Sequence, residues 1–160
     1  MGKTIFILVI SIVVLVGVVL YIREDATAQT VTLYYYNASK DTDAEGNLLC
    51  SNQGLEPVER VVQDAEDVEE VIRILLRGEL TDDERSRGIS TEFPLEGLEL
   101  VRVERDSEVG LLTLVFTDPL NKTVGGSCRV NILRAQIERT ARSISPVPIV
   151  RIEPEELFQP

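Results

Sequence analysis

The chain has 160 residues, enough for one domain and a tail, with 27 acidic and 16 basic residues and a net charge of −11. That balance argues against nucleic acid or an anionic lipid surface as the partner, because phosphate backbones demand clusters of Lys and Arg. There is no histidine, which removes His-based triads and His-containing zinc sites, and there are only two cysteines, Cys50 and Cys128.

The first 22 residues stand apart from the rest. "IFILVISIVVLVGVVLYI", Ile5 to Ile22, is 18 residues without a charge, interrupted only by Ser11 and Gly17. As a helix it would span about 27 Å, close to the hydrocarbon thickness of a bilayer. It lacks the polar stripe of a core helix. A signal peptide cleaved after Ala28, in "ATA", is one reading. An uncleaved anchor over 1–23 is the other, favoured by the length of the run and by the charged Arg23-Glu24-Asp25 that follows. Lys3 keeps the short N-terminus inside, so the rest of the chain is exported on either reading. The expected location is a single-pass cell-membrane protein with an extracytoplasmic domain. The membrane itself is then one partner, through the N-terminal helix.

After a stalk at 24–30 the domain is expected over 31–160. "VTLYYYN", Val31 to Asn37, is rich in β-branched and aromatic residues and predicts a strand. Residues 38–56 are polar and turn-forming, longer than an ordinary connection. "PVERVV", Pro57 to Val62, is a second strand. In "DAEDVEEVIRILLRG" the residues Val68, Val71, Ile72, Leu75 and Leu76 recur at helical spacing, with acids at the start, arginines near the end and Gly78 as the stop. "TDDE", Thr81 to Glu84, is a capping box for a single turn, or else a solvated loop.

"LELVRVERDSEVGLLTLVF" predicts a hairpin turning between Asp106 and Gly110. Leu98, Leu100 and Val103 share one face of its first arm, and Leu112, Leu114 and Phe116 one face of its second. "SCRVNILRAQIERTARSI" predicts a second long helix with Ser127 as its N-cap. "PVPIVRIE", Pro146 to Glu153, closes the fold as an edge strand. Strand, strand, helix, hairpin, helix, strand is the order of a two-layer α+β domain.

These segments together resemble the GerMN domain of sporulation and spore-germination proteins. The resemblance covers about residues 30–153 and rests on "VTLYYYN", "LEPVERVV", "VEEVIRILLRGEL", "GLELVRVE", "GLLTLVF" and "ILRAQIERTARSISPVPIVRI". It implies an exported α+β fold similar to ring-building motifs, which act by packing against copies of themselves or other proteins. It implies no catalytic or cofactor residue. The segment "DTDAEGNLLCSN" with its paired cysteines departs from the family pattern.

That segment resembles a calcium loop. Asp41, Asp43 and Glu45 fall at alternate positions, Gly46 at the turn, and Asn47 where a carbonyl ligand belongs. Asn52 stands where a bidentate Glu is required, and a strand precedes the loop where a helix should. One alternative is a weak calcium site, or a cell-wall-polymer site, over Asp41–Asn52. The other is an acidic turn that delivers Cys50 to Cys128. An even cysteine count in an exported domain points to that disulfide, closing a loop of about 78 residues. Gly125–Ser127 could hold an anion at a helix N-terminus or simply turn the chain.

The expectation for function is a non-catalytic, membrane-tethered assembly module of the bacterial envelope. Its partner would be an envelope protein or a second copy, with no cofactor beyond the possible Ca²⁺. Val31–Tyr36 and Val147–Ile152 are the strands expected at an open sheet edge.

Overall fold

A computed structural model describes residues 28–145 and 147–160. The expected membrane helix at 1–23 and stalk residues 24–27 lie outside the described residues. Among those described, no helix is long and apolar enough to cross a membrane.

Five strands and three helices follow in the anticipated order. β1 (Gln29–Tyr36) pairs antiparallel with β2 (Leu55–Val62), and α1 (Val68–Arg77) and α2 (Asp82–Ser86) come next. β3 (Glu99–Asp106) and β4 (Leu111–Thr117) form the hairpin, α3 (Ser127–Ile144) follows, and β5 (Ile149–Glu153) pairs parallel with β4. Instead of one sheet, the strands make two: β1–β2, and β3–β4–β5 with β4 in the middle. α1 and α3 pack against each other and against strands of both sheets, so the core lies between the helix pair and the two sheets.

Each element forms for a local reason. The carboxylate of Asp67 caps α1 by accepting from the amide of Glu70, and Val68, Val71, Ile72 and Leu75 are buried on one face. Gly78 ends the helix in the left-handed region at φ 64°; a Cβ there would stand 1.9 Å from the carbonyl oxygen of Phe93. The Thr81 capping box forms, so the single turn is a helix and not a loop.

In the hairpin the apolar positions change parity, from Leu98 and Leu100 to Val103, because a β-bulge sits at Val101. Leu100 then faces Phe116 and Val103 faces Leu114, while Val101 is pushed into solvent. On α3 the buried face is Val130, Leu133, Gln136, Ile137, Thr140 and Ala141.

Three expectations need correction. The first strand starts at Gln29, two residues before the expected Val31. Gly126, not Ser127, occupies the N-cap of α3, with no side-chain cap. The fold does not close at Glu153: the tail returns, and Phe158 is buried with its ring edge-on to Phe116 at 6.1 Å.

Candidate interaction surface

The expected calcium ligands are held by their own loop. Tyr36, last residue of β1, and Ser51, before a 3-10 turn at Asn52–Gly54, flank a fully buried Asp41. The Asp41 carboxylate accepts from the Tyr36 hydroxyl, from the Ser51 amide at 2.6 Å and from the Ser51 hydroxyl at 2.5 Å. Burial works to raise the Asp41 carboxyl, but the bonds from Ser51 and Tyr36 outweigh it and hold the group below its usual range. On the phenol side, burial and the same carboxylate push Tyr36 upward.

Asp43 is curled into a turn, accepting from the amides of Glu45 at 3.0 Å and Asn47 at 2.7 Å and from Asn47 Nδ2 at 2.9 Å. A bridge between Thr42 and Leu48 folds the segment as a miniature hairpin. This hairpin turns Asp41 inward and leaves Glu45 and Asn47 outside. Asp43 and Asn47 meet, but Asp41 points away from them into the core, and among the described residues no group of three or more acids or cysteines is placed to hold a metal ion.

Cys50 and Cys128 are bonded, with Cα atoms 5.1 Å apart, tying this loop to the first turn of α3. The chain before that turn is gathered by two side chains whose roles have no pattern in the sequence. Asp118 accepts from the amides of Lys122 and Thr123. Arg129 donates to the carbonyls of Val124 and Lys122 and to Glu92.

α3 carries four arginines and one acid in a chain of net charge −11. A groove of about 330 Å³ runs between this helix, Tyr34 and the Asn52–Leu55 turn. Within it Arg139 lies over the Tyr34 ring at 4.9 Å, and Glu138 is shared by Arg134 at 2.7 Å and Arg142 at 3.4 Å.

The sheet edges differ sharply. Along the outer edge of β1, α3 supplies partners: the Tyr34 amide donates to Thr140 Oγ1 at 2.9 Å, and Ser143 Oγ donates to the Thr32 carbonyl at 2.9 Å. Ser90 pairs with Tyr36 through both backbone groups. The edge expected over Val31–Tyr36 is thus closed. On β2, Pro57 faces the non-bonded position opposite Tyr34, where its missing N–H leaves the ladder whole and blunts the outer edge. β3 is bulged and bears alternating charges.

β5 is different. The Ile149 amide donates to the Gly110 carbonyl, so Ile149, Arg151 and Glu153 turn their backbone groups to β4, and Val150 and Ile152 turn theirs outward. No partner meets those outward groups among the described residues. A groove of about 370 Å³ borders them, lined by Arg134, Ile149 to Ile152, Glu155 and Gln159. Val147–Ile152 was the other expected edge, and here the edge is open.

No family model and no curated protein matches the sequence. The tandem GerMN domains of the sporulation protein GerM from Bacillus subtilis superpose with a TM-score of 0.53 at 19% identity, over 81% of this chain. The chain has a GerMN-like fold. It spans 40% of the length of that tandem protein. A candidate lipoprotein from Clostridium perfringens aligns over 79% of this chain and 76% of its own, at 15% identity and a TM-score of 0.38, too low to carry weight.

Proposed function

We propose that this chain is a membrane-tethered, extracytoplasmic GerMN-like module of the bacterial envelope that works by holding another protein and carries out no catalysis. Residues 1–23 serve as the anchor. The observation that carries the reading is the open β5 edge. The other edges are sealed, bulged or blunted along their length, whereas Val150 and Ile152 in the middle of β5 turn backbone groups outward with no partner among the described residues, and such groups invite an added strand.

The chemistry of the side chains agrees with a non-catalytic role. Both thiols are bonded and imidazole is absent from the sequence. The carboxyl groups with displaced ionisation, Asp41, Asp43, Glu84 and Asp118, are all shifted downward. None is therefore a protonated acid poised for proton transfer near neutrality.

Site-directed photocrosslinkers in the full-length membrane protein test the reading. Placed at Ile149 they should capture a protein neighbour, and placed at Val61 on β2 they should not. Recovery of uncrosslinked monomer alone, from both positions, would overturn it.

A further inference from the structure

We infer that the β5 edge takes an extended segment of a different protein, running antiparallel, with an acidic side chain opposite Arg151, and that it rejects a second copy of this chain. The inference rests on the proposed interaction role and specifies its partner.

The register of anything that pairs here is pinned by two prolines. The outward backbone groups are those of Val150 and Ile152, and the strand is flanked by Pro148 and Pro154, which have no N–H to offer a longer ladder. An antiparallel copy of β5 can satisfy both Val150 and Ile152 fully in one register only, with Val150 opposite Ile152 of the other chain. Slipping by two residues either way sets one of these residues against a proline.

In that one register Arg151 meets Arg151. The two arginines would face each other at a non-hydrogen-bonded position, where antiparallel backbones approach most closely, and like charges placed directly opposite destabilise a pair. The edge is therefore protected against its own sequence while open to others. Side chains pointing the same way as Arg151 are Ile149, which is 49% exposed, and Glu153, which lies 4.0 Å from Arg151. Arg134 adds positive charge from the α3 side of the groove, against Glu155 from the tail.

The complementary segment, in chain order, carries a basic residue for Glu153, an acidic residue for Arg151 and an apolar residue for Ile149, each separated by one position. Pro148 and Pro154 limit the docked stretch to about this length, so affinity comes from a short ladder and the central ion pair.

Two peptides test this against the full-length protein in detergent. One is acetyl-Thr-Lys-Thr-Glu-Thr-Val-Thr-amide, and the other has Lys in place of its Glu. Titration followed by amide NMR should move the Val150 and Ile152 resonances, with the Glu-containing peptide binding roughly fivefold more tightly than its Lys counterpart. Arg151→Glu, an exposed change that leaves the β4 ladder intact, should reverse the preference. The wild-type chain should show no association through β5.

Equal binding of the two peptides, no reversal in Arg151→Glu, or no movement of Val150 and Ile152 would overturn the inference. So would crosslinks joining Ile149 of two copies. Any of these failures leaves the broader interaction role standing if Ile149 still captures another protein in membranes.

Discussion

A single buried carboxylate organises the long loop. Asp41 has three donors, from Tyr36 and Ser51, and is fully buried around them. Asp41→Ala should cost about 2–3 kcal/mol in urea unfolding at neutral pH, since it orphans the Tyr36 hydroxyl and the Ser51 groups. Because the folded Asp41 carboxyl lies below its usual 3.8, folding binds fewer protons than the unfolded chain does in acid. Its contribution is complete above that ordinary value and fades as pH falls through the lowered one. Glu84, held down chiefly by Arg60, and Asp118 act in the same direction. Stability should therefore fall on acidification below about pH 4, and the acid slope should be shallower in Asp41→Asn than in wild type. Calcium at millimolar levels should leave the amide resonances of Asp41 to Asn52 in place, as the inward turn of Asp41 requires. Alternating acids and a glycine were legible as a calcium pattern. That pattern does not encode the Tyr36 and Ser51 donors, which lie on separate sides of the loop and meet only once it is folded.

The elements themselves were the most legible part. Helical spacing located α1 and α3 because both have one apolar face and strong ends, and Gly78 was visible as a stop. Gly78→Ala should destabilise by about 2 kcal/mol or more, since it adds left-handed strain to a close approach against the Phe93 carbonyl; thermal unfolding would measure it. The bulge at Val101 was readable only as an uneven face, because an inserted residue leaves no composition signal. The Arg60–Glu84 pair, bonded through both nitrogens at 2.7 and 2.8 Å, joins β2 to α2 across 24 residues. Glu84→Ala should cost about 3 kcal/mol by removing a half-buried arginine's partner along with the capping box.

At the scale of the molecule, the α+β class and strand order followed from sequence, whereas the division into two sheets did not. Edge status was half legible. β1 and β5 both read as edges, but α3 closes the first through Thr140 and Ser143, two hydroxyls that sit inside an otherwise ordinary helical pattern. The disulfide was legible from cysteine count and compartment. Closing 78 residues, it should contribute about 4.5 kcal/mol at most, read as the loss in the Cys50→Ala/Cys128→Ala double variant or on reduction. That loss should loosen the 37–54 loop and the start of α3 ahead of the β3–β4 hairpin, a sequence that hydrogen exchange would resolve.

Three adjacent tyrosines on β1 also give this protein a built-in optical reporter. The chain has no tryptophan, so its ultraviolet emission comes from phenols, and Tyr34, Tyr35 and Tyr36 are three of its four. Tyr34 is covered by Arg139, Tyr35 donates to the Leu75 carbonyl at 3.1 Å, and Tyr36 donates to a carboxylate. Fluorescence of single Tyr→Phe variants would separate the basic groove, the helix packing and the disulfide loop without adding a dye.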